Sequence, residues 1–307
     1  MDPKASTEAG PRVLTAQTTG STAVDDFWGQ WTVRSEPFKT AEESAEYLKW
    51  RASIYPLFSE YMEIYGDHSG EVVLDYGCGP GNDTVGFLIS SNAKKVIGLD
   101  VSQKALSLAS HRINLHSVDP ARVELIQSSD GTGAIPLDDG AVDYIHCLGV
   151  IHHTTHPGQV LRELARVLKP GGRGSIMVYN RQSIFFHLWV AYQRQIVSGD
   201  FPGLDADSAF SKATDGEDCP IARGYRPEDF AELCVAAGLE AEFVGGYFAT
   251  MELDLMRSVG ETAMAERTLG VEHRNFLAAL TKDEAGFYLH KGRTAGHGGV
   301  YAIRKPR

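Results

Sequence analysis

Between Val72 and Tyr179 short apolar runs of strand character alternate with amphipathic stretches of helical spacing, and that alternation limits the folds open to the chain more than any other feature. The runs are Val72–Tyr76, Lys95–Asp100, Val123–Gln127, Val142–Leu148 and Gly174–Tyr179. Between them lie a helix from about Asn82 to Ser90, a stretch after Ser102 (a residue placed to cap it), and "PGQVLRELARVLKPGG". In the last, Val160, Leu161, Leu164, Val167 and Leu168 share one face, with Pro157 at the start and Pro170-Gly171-Gly172 at the stop. Strands joined by helical crossovers pair in parallel, so the expectation is an α/β fold: a parallel sheet with helices on both faces. No internal repeat is evident.

The flanks divide the remainder. Residues 1–24 lack the apolar segment of a signal peptide and read as a disordered tail. Residues 25–66 carry Phe27, Trp28, Trp31, Tyr47, Leu48, Trp50, Ile54, Leu57 and Phe58 at helical spacing, an N-terminal helical cap. Residues 67–180 form the core. Residues 181–307 complete the sheet with a substrate-side helical insertion: an apolar helix in "SIFFHLWVAYQRQIV", a loop-like 199–224, a capped helix in "RPEDFAELCVAAG", a strand in "LEAEFVGGYFA", a helical 252–280 and a last strand in "GVYAIRK". A chain of 307 residues can hold one elaborated domain or two. No apolar run approaches the roughly 20 residues of a membrane span. Cys78, Cys147, Cys219 and Cys234 are scattered, as reduced thiols would be, and a cytoplasmic location is expected. A formal charge of −11 without a dense basic run disfavours a nucleic-acid partner. The oligomeric state is left open.

The turn after the first run reads "VLDYGCGPG". A dinucleotide site has the spacing GxGxxG, because a pyrophosphate approaches the helix N-terminus; here Gly77, Gly79 and Gly81 alternate. Asp75 at the strand tip would repel a pyrophosphate, more so in a partly dry cleft, but would favour a cofactor bearing ammonium and sulfonium charges. Asp100, ending the next run, can accept hydrogen bonds from both hydroxyls of a ribose. A ribose with positive charge near the turn describes S-adenosylmethionine (SAM), and a dehydrogenase is disfavoured.

"VLDYGCGPG", "VIGLDVS", "IQSSDG", "GAVDYIHCLGVIHH" and "LRELARVLKPGG", in this order over roughly residues 67–180, resemble the class I SAM-dependent methyltransferases, nearest the methyltransferase type 11 and UbiE-like group. The resemblance implies a Rossmann-like class I methyltransferase sheet and SAM as cofactor. It also implies that Asp75, Gly77, Cys78 and Gly79 hold the methionine end and that Asp100 binds the ribose with Val101 beside the adenine. Asp130 and Gly131 would meet the adenine amino group, and Leu148 and Gly149 would floor the site near the methyl. Leu137 stands where the family often has an aromatic, a change of packing and not of chemistry.

Each of these residues has a plainer role as well. Asp75 could cap a helix, Asp100 could end a strand, and Asp130 sits in good turn chemistry. His152 and His153 follow a strand at the carboxyl edge, where open α/β sheets place their sites. In similar O-methyltransferases a histidine of such a pair is proposed as general base, which suits neutral imidazole; the alternative is that both only shape the loop. With His156 nearby a metal is conceivable, but no carboxylate or cysteine stands at ligand spacing in the sequence, and no metal is expected. His146 reads as a satisfied core histidine. Arg51 on the cap could clamp the SAM carboxylate, whereas Trp28, Trp31 and Trp50 read first as core. Residues 214–220 form either a lid or an ordinary solvated loop. Tyr179, Asn180 and Arg181 leave the last core strand and are candidate substrate-wall residues. The expected function is methylation of a hydroxyl on a small natural product or sugar-bearing metabolite. The alternatives are carbon methylation of a quinone-like or lipid acceptor and a non-catalytic SAM-binding scaffold or sensor.

Overall fold

The computed structural model describes residue 11 and residues 13–15, 22–130 and 133–307. A first strand, β1 (Val13–Thr15), lies inside the stretch expected as a tail and pairs in parallel with Val123–Gln127, Val13 opposite Leu125. The chain adds an edge strand there because an open sheet edge offers unpaired backbone groups. The apolar runs then form β2 (Val72–Tyr76), β3 (Lys95–Asp100), β4 (Val123–Gln127), β5 (Val142–Leu148) and β6 (Leu168–Asn180). β6 begins before the expected Gly174: Leu168 already pairs with Val142, and Pro170-Gly171-Gly172, read as a helix stop, falls inside the strand, with pairing irregular across Val142 and Tyr144. After the short β7 (Gly224–Tyr225) comes β8 (Glu240–Tyr247). A small antiparallel sheet follows, β9 (Thr281–Lys282), β10 (Tyr288–His290) and β11 (Arg293–Thr294), and the last strand is β12 (Gly298–Arg304).

The main sheet runs β1-β4-β3-β2-β5-β6-β12-β8, with β7 beside β6. β12 is antiparallel to both its neighbours. It therefore begins at the edge where the parallel strands end: Gly298 pairs with Tyr179 on one side and Tyr247 on the other. That reversal brings the residue before Gly298 to the carboxyl edge of the sheet.

Helices α1 (Ala23–Gln30), α2 (Ala41–Ile54) and α3 (Phe58–Tyr61) precede the core. α4 (Asn82–Ser90), α5 (Gln103–Leu115) and α6 (Pro157–Val167) make its crossovers. Ser102 caps α5 as its sequence implies, accepting from the Ala105 N–H at 3.2 Å. A π-helix spans Phe185–Val197, followed by α7 (Ala206–Thr214), α8 (Pro227–Ala236), α9 (Thr250–Ala265) and α10 (Val271–Ala278). α7 arises where a loop was expected; Asp205 caps it, and Ala209 and Phe210 bury one face.

Successive β2 residues feed opposite faces of the sheet. Leu74 joins Ile97, Ile145, Leu161 and Leu164 on one side, and Val73 joins Phe58, Phe87, Leu106 and Ile113 on the other. Each fully buried aliphatic side chain of this kind stabilises the fold by about 1.5–3 kcal/mol. A third apolar cluster, including Ile184, Leu188, Phe248, Phe276 and Leu277, lets the C-terminal helices pack as a lobe over the carboxyl edge. Among the described residues no helix is long and apolar enough to cross a membrane.

Candidate active site

A cleft of about 520 Å³ opens at the carboxyl edge, roofed by α1 and α2 and walled by the C-terminal lobe. Asp75, Gly77, Cys78, Gly79, Asp100, Val101, Asp130, Leu148 and Gly149 all line it. The Gly77 and Cys78 N–H groups both donate to the Leu99 carbonyl, folding the turn tightly back on β3. Gly77 has φ +76°, and a Cβ there would stand 2.2 Å from Val150 Cγ2, so only glycine fits. Gly79 differs: at φ +53° a Cβ would meet nothing within 4 Å, and the bare backbone faces open cleft. The Asp100 carboxylate accepts from the Gly79 N–H and the Ser102 N–H, each at 2.8 Å, so this residue shapes the turn as well as lining the cleft. Burial pushes the Cys78 thiol well up, which keeps it protonated.

Asp75 is almost fully buried and accepts from the Thr84 hydroxyl at 2.6 Å. Burial pushes its carboxyl up to about 6, a cost that a cationic ligand beside it would offset. Behind it lies a charge network that local spacing does not reveal. Arg51 reaches from α2 to grip Asp83 through both terminal guanidinium nitrogens, and the His146 Nε2 meets the same carboxylate at 2.9 Å. Burial opposes a charge on Asp83, yet Arg51 and His146 together hold it well below the usual carboxylate range. Arg51 thus lines the cleft with its charge already shared. His146 is fully buried in β5, the core position expected, but it is not the satisfied histidine expected there: Nδ1 has no partner among the described residues.

The Asp130 carboxylate is turned toward Thr155, accepting from its N–H and hydroxyl. The loop is held from above by Asp25 of α1, which accepts from the Ser129 hydroxyl and the Asp130 N–H at 2.7 and 2.8 Å. Sequence reasoning missed Asp25; its signal was the capping box Thr22–Asp25 at the start of α1. Gly131 lies outside the described residues. Trp28 lines the cleft, and so do Trp31 and Trp50, which are about half exposed and do not form the core expected of them. They sit on a roof whose outer face meets solvent.

The histidine pair separates. His152 is fully buried, its ring lies 3.9 Å from that of Tyr179, neither ring nitrogen has a partner among the described residues, and it does not line the cleft. Burial drives its pKa far down, so it stays neutral and packs. His153 lines the cleft. Its Nδ1 lies 2.5 Å from the Ile221 carbonyl, which can only accept, so Nδ1 carries the proton and Nε2 is bare. Nε2 stands 3.6 Å from the Asp215 carboxylate, which also accepts from the Tyr179 hydroxyl. Burial lowers the His153 pKa, and Asp215 pushes it partly back. Cys219 completes the group, 3.9 Å from Nδ1; the ligand-type atoms of His153, Asp215 and Cys219 lie within 4.8 Å of one another. The carboxylate and cysteine absent from the neighbouring sequence thus arrive from the 214–220 loop, far along the chain. Tyr179 lines the cleft as expected. Asn180 and Arg181 do not: Asn180 is buried and donates to the Gln182 and Gly296 carbonyls, while Arg181 pairs outward with Asp207. Past the strand end the chain turns away from the cleft.

A sheet of this order, with its reversed β12, a glycine turn after β2 and an acidic tip on β3, defines the class I methyltransferase fold. Residues 74–176 match a family model described as a methyltransferase domain, Methyltransf_11. They are a class I SAM-dependent methyltransferase domain, and SAM is its cofactor. The chain is 41% identical over 183 residues to a 37.1 kDa protein in transposon TN4556 of Streptomyces fradiae, covering 59% of this chain and 46% of that one. It is 28% identical to a ubiquinone biosynthesis O-methyltransferase of Thiobacillus denitrificans, covering 63% and 75%. The first of these matches thus spans under half of the relative's own length. The crystal structure of the YcgJ protein from Bacillus subtilis shares the fold at a TM-score of 0.52 and 16% identity, covering 86% of this chain and 99% of that one.

Proposed function

We propose that this chain methylates a hydroxyl of a small, largely apolar natural product or sugar-bearing metabolite, with His153 as general base. The observation that carries the proposal is His153 Nε2, bare by its tautomer, lining the cleft beside the half-buried Asp215 carboxylate.

The residues present fit SAM. Gly79 offers open backbone at the cleft, and Asp100, whose carboxylate holds the turn, lines it beside Gly79. Buried Asp75 suits the cationic methionine end, and Asp130, Val101 and Leu148 line the same wall. Bound there, SAM supplies an electrophilic methyl carbon. The chain's own residues do the rest. Trp28, Tyr55, Phe58 and Tyr247 wall the space beyond the turn with rings that exclude water and orient an acceptor. His153 Nε2 takes the hydroxyl proton as the oxygen attacks; Asp215 stabilises the imidazolium formed, and the Ile221 carbonyl keeps the ring aimed. Tyr179, whose phenol burial drives well above its ordinary value, stays protonated and fixes Asp215 rather than serving as base.

Oxygen as the acceptor atom draws support from the O-methyltransferase relative. The aromatic wall keeps a second reading in view, carbon methylation of a quinone-like or lipid acceptor. Transfer of labelled methyl from SAM to a panel of hydroxylated metabolites, quinones and lipids tests both. An O-linked product supports the proposal, and a C-linked product transfers support to the second reading. No labelled product leaves a SAM-binding scaffold.

A further inference from the structure

On the wall formed by the start of β12, a second imidazole–carboxylate pair faces the same cleft, and nothing in the mechanism above uses it. His297 lines the cleft. Its Nδ1 meets Oε1 of Glu252 at 2.6 Å. Glu252 is fully buried at the head of α9 and also accepts from the Ala249, Phe185 and His297 backbone N–H groups. A buried carboxylate so surrounded by donors is an acceptor, so Nδ1 of His297 carries a proton. The ring is wedged among Tyr55, Tyr247 and Phe185, at centroid distances of 5.9, 5.2 and 5.8 Å, and cannot swing freely. The atom left for the cleft is Nε2, which has no partner among the described residues.

The cleft therefore presents imidazole Nε2 atoms from two separate elements, each with its tautomer locked by a hydrogen bond at Nδ1. One base suffices for one methyl transfer. A second, fixed, bare Nε2 among rings is a receptor for a second donor on the acceptor molecule. We propose that His297, positioned by Glu252, reads a second hydroxyl of the acceptor, so that the preferred acceptor is a ring bearing two hydroxyls: one loses its proton to His153, the other donates to His297. This rests on the methyl-transfer reading for the place of the acceptor, but it concerns recognition and can be measured without turnover.

The test is calorimetric titration of phenol and of 1,2-, 1,3- and 1,4-dihydroxybenzene into the full chain saturated with S-adenosylhomocysteine, for the parent and two variants. His297→Asn keeps a side-chain N–H where Nδ1 stands and deletes Nε2; His297→Gln places an amide near Nε2 and gives up the Glu252 contact. The parent is expected to bind at least one dihydroxybenzene about 2–13-fold more tightly than phenol, the ratio of one neutral hydrogen bond. His297→Asn should abolish that preference with S-adenosylhomocysteine affinity unchanged, and His297→Gln should retain part of it. Equal affinities in the parent, an undiminished preference in His297→Asn, or an equal loss in both variants would overturn the proposal. Selective binding without labelled-methyl transfer from SAM to the same probes would count against the methyl-transfer reading and leave the recognition role standing.

Discussion

His152 and His153 are neighbours in the chain with opposite surroundings, and the difference sets their chemistry. Both nitrogens of His152 are sealed away without partners among the described residues, so His152→Leu should leave most of the rate, because an apolar group there satisfies its site as well. His153→Gln should cost about 10²–10⁴-fold, the usual contribution of a positioned base. The pH dependence follows from the same contacts. A base works deprotonated, so activity at saturating SAM falls as pH drops through its pKa. Burial places that fall for His153 below the ordinary histidine value of about 6.5. Asp215 raises the His153 pKa, so Asp215→Asn should move the acid limb to still lower pH while reducing the plateau rate; a shift toward higher pH would contradict the assignment. At the turn, Asp100→Ala removes the carboxylate that holds Gly79 and that is proposed to bind the ribose. It should weaken SAM by about 1.5–3 kcal/mol or more in calorimetric titration, with NADH failing to bind parent or variant.

The elements around the site are tied by buried charge rather than by apolar packing alone. Arg51 joins α2 to the first turn of α4 through Asp83, and Arg112 of α5 joins α2 through the Ser44 hydroxyl and carbonyl. Removing Arg51 takes the full guanidinium charge from the buried Asp83 carboxylate and leaves it His146 as partner. Arg51→Ala should therefore lower unfolding stability by about 3–5 kcal/mol in a denaturant titration, and a loss under about 1 kcal/mol would show that the roof contributes little. The core elements were legible because their signals are local: β2 to β5 are apolar runs, Ser102 and Pro157 open their helices, and α4 occupies the span read for it. β1 was not legible, since three residues carry too short a pattern to distinguish from a tail. The start of β6 was obscured because Pro170-Gly171-Gly172 ends a helix and begins a strand at once. α7 hid in a Gly- and Asp-rich stretch whose helical face is only Ala209 and Phe210.

For the whole molecule, the cofactor half of the cleft could be read and the acceptor half could not. Asp75, the glycine turn and Asp100 come from adjacent strand–turn units, so their spacing in the chain encodes their spacing in the fold. Asp215 comes from a loop to meet His153 and Tyr179, and His297, the residue before a reversed strand, reaches the same cleft with Glu252 from a helix head behind it. The same long-range closure excludes Asn180 and Arg181, which local reasoning had placed in the wall. In the proposed reaction this cleft carries a methyl group from SAM to an acceptor oxygen while His153 takes the proton. The direct measurement is single-turnover transfer of labelled methyl, at saturating SAM and with an acceptor found in the panel, by the parent and by His153→Gln. The expected result is an O-methylated product from the parent and a rate about 10²–10⁴-fold lower in the variant, with SAM affinity retained. A variant rate within about threefold of the parent, far short of a base's usual contribution, or no labelled product with any acceptor, would contradict it.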